Sequence, residues 1–193
     1  MCTRRATQAV LLFLFVTTAT TAMAADTQAL VGFTIYGRAV FPIKREGRFT
    51  DVASQLSYDP ARPADTRVDV TVYTSSVDIN NADQNALLRS DSFFDADHFP
   101  TLHFTSVTAA PQQDGTLAVF GDLTIRGITR RIATPVTVHA AGNKSILETT
   151  FQIDRTDFGI NGVPAWGGFK VSIAKKVQVH IALATPDTGA LLR

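Results

Sequence analysis

The 193-residue chain predicts an all-β domain of eight antiparallel strands with one short helix after the third strand. Three observations predict it. Apolar and polar residues alternate with period two through most of the chain, the pattern of strands with one buried face. Short segments rich in Pro, Gly, Asn and Asp separate the alternating runs. A single stretch near residues 80–100 exchanges alternation for helical spacing.

The elements follow in chain order. Residues 1–24 carry Arg4 and Arg5, then the apolar run "AVLLFLFV", then small residues ending in "AMA" at Ala22–Ala24. The apolar run is shorter than the roughly 20 residues that cross a bilayer. The order of basic, apolar and small residues describes a secretory signal peptide cut before about Ala25, with an uncleaved anchor as the alternative. The expected domain is therefore residues 25–193, exported to the periplasm or secreted. Val31, Phe33 and Ile35 share one face of the first strand. The more polar "GRFTDVASQLSYD" gives the second and ends at the proline-rich "DPARPAD". "RVDVTVYTSSVDI" gives the third, with Val68, Val70 and Val72 on one face. Asn80 and Asn81 are candidate N-caps for a helix over Ala82–Ser90. A loop with Phe93, Phe94 and Phe99 follows, and Pro100 hands the chain to the next strand. "TLHFTSVTA", "TLAVFGDLTI", "RRIATPVTVHAA", "SILETTFQID" and "KKVQVHIALA" complete the eight. Their turns are "PQQDG", "RGIT" and "AAGNK". The tail after Pro186 reads as frayed. From alternation alone, a closed up-and-down barrel and a two-sheet sandwich both fit.

Composition narrows the chemistry. The lone cysteine, Cys2, falls in the expected leader, so the mature domain has no thiol for a disulfide, a nucleophile or metal ligation. The net charge of +1 points to no nucleic-acid partner. His98, His103, His139 and His180 lack metal-binding spacings, and no metal is expected. No G-x-S-x-G or phosphate loop is present, and no catalytic residue is assigned. Asp83, Asp91, Asp95 and Asp97 read as solvating and capping residues; an EF-hand spacing is absent. The 13 phenylalanines form a large apolar payload that has to line a core or a cavity.

Three segments together carry a resemblance. "SVDINNADQNALLRSDSFFDADHFPTLHFTS", "GDLTIRGITR" and "IDRTDFGI" resemble, in order and separation, the marks of the YceI-like family. Leu87 stands where that family often has histidine, Ser92 where it has aspartate, and "LVGFTIYGRAVF" where it has a His-Ser pair. The resemblance implies an eight-stranded antiparallel up-and-down lipocalin-like barrel. Its cavity would hold an isoprenoid quinone, a polyprenyl lipid or a similar long amphiphile, with no catalytic cofactor.

Strand parity within such a barrel gives the candidate cavity residues: Phe33, Val70, Phe104, Leu123, Ile125, Phe151 and Ile153. Phe94, Phe99 and Phe158 join them as aromatics of the neighbouring loops and strand ends, although each also suits a solid core. Trp166, in the glycine-rich "GVPAWGGFK", is a candidate rim or lid contact. Arg155 and Asp157, at i and i+2, are expected on one side, either as a salt bridge or as a polar rim for a head group. Arg89 is expected to satisfy helix-end carbonyls or to join that rim. The functional expectation is an exported carrier of an apolar or amphiphilic small molecule, not membrane-spanning after cleavage, with a homodimer left open. The alternatives are a stress-related scavenger of diverse amphiphiles and an accessory enzyme acting on such a lipid.

Overall fold

A computed structural model describes residues 28–39, 41–163, 165–166 and 169–185, the last segment's neighbours Ala165, Trp166, Phe169 and Lys170 in backbone only. The expected leader, the cut before Ala25 and the tail after Pro186 lie outside the described residues. Strand β1 (Ala29–Arg38) forms a hairpin with β2 (Pro42–Phe49). Chain continuity makes β2 and β3 (Val52–Ser57) one bent strand, interrupted only at Thr50 and Asp51. The next strand is bent at the same level: β4 (Arg67–Tyr73) and β5 (Val77–Asp78) flank a single 3₁₀ turn, Thr74–Ser76. The two bends are laced together by Tyr73 N–H to Asp51 O (3.1 Å) and Thr50 N–H to Ser76 O (3.2 Å).

Helix α1 (Ala82–Arg89) follows, then β6 (Thr101–Pro111), β7 (Leu117–Ile125), β8 (Ile128–Ala141), β9 (Lys144–Asp154) and β12 (Ser172–Ala184). Between β9 and β12 lies a two-residue hairpin, β10 (Ala165–Trp166) with β11 (Phe169–Lys170). Every consecutive pair in the large sheet is antiparallel, and β12 returns to pair with β1. With each bent strand counted once, eight strands close into an up-and-down barrel. That is the lipocalin-like architecture, with the helix after the third strand as the pattern predicts.

Closure explains the alternation. The inward residues of each strand form one continuous core that includes Val31, Phe33, Val70, Val119, Val136 and Leu147. One local feature differs from expectation, and one choice between two candidate caps is decided. The second strand begins at Pro42, ahead of Gly47, because "PIKRE" pairs with β1 although its exposed residues hide the alternation. Asn81 rather than Asn80 caps the helix, its Oδ1 accepting from Gln84 N–H at 3.0 Å. Asn80 itself has φ 57° and donates its N–H to Asp78 Oδ1.

The motif turns can now be explained. Arg126 and Gly127 have φ of 50° and 71°, the two left-handed positions of a type I′ hairpin turn joining β7 to β8. In "IDRTDFG", Asp154 Oδ1 accepts from Thr156 N–H (2.9 Å) and from its hydroxyl (2.6 Å), capping a 3₁₀ turn over Arg155–Phe158. Gly159, at φ 71°, ends that turn as a left-handed residue must.

Candidate functional site

The barrel encloses an apolar cavity of ≈ 160 Å³. Parity along β1 supplies Phe33, β4 supplies Val70, β6 supplies Phe104, β7 supplies Leu123 and Ile125, and β9 supplies Phe151 and Ile153. Direct cross-strand pairing holds them as a belt: Val70 opposite Phe104, Phe104 opposite Leu123, and Phe151 opposite Val179 of β12. Two glycines on the inner face make room for the rings. A Cβ on Gly47 would stand 2.4 Å from Phe33 Cζ, and one on Gly121 2.4 Å from Phe104 Cζ. The rings therefore lie against bare backbone and leave the lumen open.

One end is covered by α1 and the loop after it. Leu88, Phe93 and Phe94 descend from this cap into the cavity. Phe94 meets Phe49 edge-on with centroids 5.6 Å apart, and Phe49 in turn lies 5.6 Å from Phe33, geometry favourable for aromatic pairs. The β7–β8 turn fastens the cap. Arg126 Nη1 donates to Asp91 O (2.8 Å) and Phe93 O (2.6 Å), and Nη2 lies 3.7 Å from Asp95. The buried Thr74 adds its hydroxyl to Phe99 O at 2.9 Å.

The structure redirects several expected residues. Phe99 does not border the cavity; it lies against the outer turn, with the Arg126 guanidinium 5.9 Å from its ring centroid. Phe158 is 2% exposed and packs in the core away from the lumen. Arg155 and Asp157 do not share a side, because the strand stops at Asp154 and the 3₁₀ turn sends Arg155 inward and Asp157 to solvent. Arg89 is exposed, away from the cavity, and donates to Ser75 O at 3.3 Å. The Trp166 side chain lies outside the described residues.

Among the described residues, two titratable side chains border the cavity. His103 turns its imidazole outward to Asp69 (Nε2 to Oδ2, 3.0 Å). Arg155 is 9% exposed. Its Nε donates to Ala174 O at 3.2 Å and its Nη1 to Ile160 O. Burial pushes its pKa below the ordinary arginine value, against the opposing charge of Asp154. The other histidines are dispersed: His98 with Asp95, His139 with Glu148, His180 with Thr150. Among the described residues, no three His, Cys, Asp or Glu side chains converge on a metal-sized site.

Residues not expected in the cavity from the sequence also line it: Phe49, Leu88, Phe93, Ile160, and Val177, Val179 and Ile181 of β12. The β12 set was accessible to the same parity argument, since "KVQVHIAL" alternates. Phe49 sits in a polar context, and the cap residues lie where no strand parity applies.

The YceI-like domain profile matches residues 23–185. The chain belongs to the YceI-like family. A UPF0312 protein of Shewanella baltica is 34% identical over 124 residues, covering 64% of this chain and 54% of that protein. A Vibrio vulnificus UPF0312 protein is 32% identical over 137 residues, 71% of this chain and 62% of its own length. The chain thus spans little more than half the length of the curated relatives it matches. Among solved structures, BcnA of Burkholderia cenocepacia superposes with a TM-score of 0.72 at 26% identity, over 81% of this chain and 96% of that one. A polyisoprenoid binding domain from Saccharophagus degradans gives 0.63 at 13% identity, over 85% and 98%, a likeness of fold.

Proposed function

We propose that this YceI-like barrel is a carrier that takes up the tail of a long amphiphile, such as an isoprenoid quinone or polyprenyl lipid, and acts by binding rather than catalysis. The observation that carries the reading is the lumen itself: a cavity walled by aliphatic and aromatic side chains, whose lining arginine, Arg155, is already engaged with carbonyls. Such a cavity rewards apolar area and offers nothing to a reacting centre. Each buried methylene contributes about 0.8 kcal/mol, so about ten of them reach the micromolar range before ordering costs. The polyisoprenoid-binding neighbour of the same fold supports this chemistry. Under this reading, residues 1–24 direct export and are removed, so the carrier works in the periplasm or outside the cell.

Denaturing extraction of the purified protein followed by mass spectrometry tests the proposal. A homogeneous prenyl species is the expected result, mixed lipids indicate a broad scavenger, and no lipid with no prenyl binding on titration overturns it. Phe151→Trp provides a second measure. The larger ring enters the lumen between the two ends, so binding of long prenyl chains is expected to weaken more than binding of short ones. Equal loss at every chain length with a lowered melting temperature, the signature of overpacking a solid core, would place the tail elsewhere.

A further inference from the structure

The barrel wall has a window between β8 and β9. These strands pair from Ala141 with Lys144 to Val136 with Thr149, and the ladder ends there. Beyond that point Ile128–Pro135 stays paired to β7 and Thr150–Asp154 to β12, but not to each other. The sequence gives the reason. Pro135 brings no N–H to the ladder, and its carbonyl is taken by the Thr149 hydroxyl (2.7 Å), which also bonds the Thr134 hydroxyl. The far end of the window is closed where the Gly159 turn approaches the Ile128 side chain.

Side-chain exposure shows that the gap reaches the lumen. Arg131 is on the outer face, paired with Asp122 at 2.6 Å, so Arg130 is on the inner face with Ile132 and Thr134. Yet Arg130 is exposed, and the lining residues Ile132, Phe151 and Ile153 are only partly buried. Inward parity, exposure and the unpaired β8–β9 edge together fit an opening beside Arg130. Arg130 makes no ion pair or hydrogen bond to the described residues, unlike Arg126, Arg131 and Arg155. Cross-strand from the lining residue Leu123 and two residues from Ile132, it is a cation unengaged by the other described residues, next to the wall of the apolar cavity.

We infer that the β8–β9 window is the head-group site of the carrier: the tail occupies the lumen, and an anionic head, a phosphate or carboxylate, emerges through the window onto Arg130. This rests on the amphiphile-carrier reading and adds to it the ligand's charge and the residue that selects it. A guanidinium binds such oxyanions by paired N–H donors, and here it need not break an existing pair.

The test compares farnesyl phosphate with farnesol, which share a tail and differ in the head. In wild-type protein the phosphate is expected to bind more tightly, with an advantage that shrinks as salt rises. Arg130→Glu is expected to weaken farnesyl phosphate about tenfold or more at low salt while leaving farnesol and the melting temperature unchanged. Arg130→Lys should keep most of the advantage. Equal effects on both ligands, or none on either, would overturn the head-group site while leaving the carrier reading intact. Inorganic phosphate that displaces farnesyl phosphate at comparable concentration would also overturn it, by showing a free-anion site. If neither prenyl compound binds wild-type protein, the carrier reading fails and the head-group site fails with it.

Discussion

Arg155→Met is expected to lower stability by about 2–3 kcal/mol, because the substitution keeps the volume of the side chain and deletes its donors. The Ile160 carbonyl is left without its partner beneath the cap, and the Ala174 carbonyl loses its bond to β12's neighbour turn. No carboxylate lies within ion-pair distance of the guanidinium among the described residues, so the loss is one of hydrogen bonds rather than of a salt bridge. Two controls separate these causes. Asp157→Asn is expected to leave the melting temperature unchanged, since Asp157 faces solvent. The Arg155→Met loss is also expected to be constant between about pH 5 and 9, where an arginine keeps its charge. Arg155→Lys should fall between wild type and Met, because an ammonium lacks the fork that reaches both carbonyls. A loss reproduced by Asp157→Asn would restore the salt-bridge account.

The contrast between Arg155 and Phe151 shows where sequence reasoning reaches its limit. Phe151 lies within a strand, where alternate residues must face opposite sides of the sheet, so its inward placement followed from Leu147 and Ile153 on the same parity. Arg155 follows the strand by one residue. There Asp154 caps a tight turn, the period changes, and Arg155 and Asp157 separate. Phe99 and Phe158 were misplaced for the same reason: both are in turns, where the packing partners decide direction. Eight strands were legible because the bends at Thr50 and Thr74 interrupt hydrogen bonding without ending the alternating runs. The β8–β9 window was not, although Pro135 is visible in "RRIATPVTVHAA". A proline in a strand marks a missing donor, but which neighbour loses its ladder depends on register.

The two lumen glycines should respond differently to the same added methyl group. Gly121→Ala is expected to cost about 1–3 kcal/mol, the range for overpacking a tight core, and Gly47→Ala somewhat less. At Gly47 the atoms nearest the new Cβ belong to side chains, the Phe33 ring at 2.4 Å and Ile79 Cγ2 at 2.5 Å. A ring tip can swing aside into the cavity. At Gly121 the Cβ meets the Phe104 ring and also the Thr105 carbonyl oxygen at 2.5 Å, and that oxygen is fixed by the strand. Double-mutant cycles isolate the ring's share. In a Phe33→Leu background, Gly47→Ala should cost less, the remainder coming from the contact with the buried Ile79 Cγ2. In a Phe104→Leu background, Gly121→Ala should still cost roughly 1 kcal/mol, because the backbone contact remains. The functional consequence runs the other way. A Phe33 ring displaced by Gly47→Ala moves into the lumen, so this milder variant should lose affinity for long prenyl tails while remaining folded. Full rescue of Gly121→Ala by Phe104→Leu would show that the strand yields at Thr105. Unchanged tail binding in Gly47→Ala would show that the Phe33 ring has somewhere to go other than the cavity.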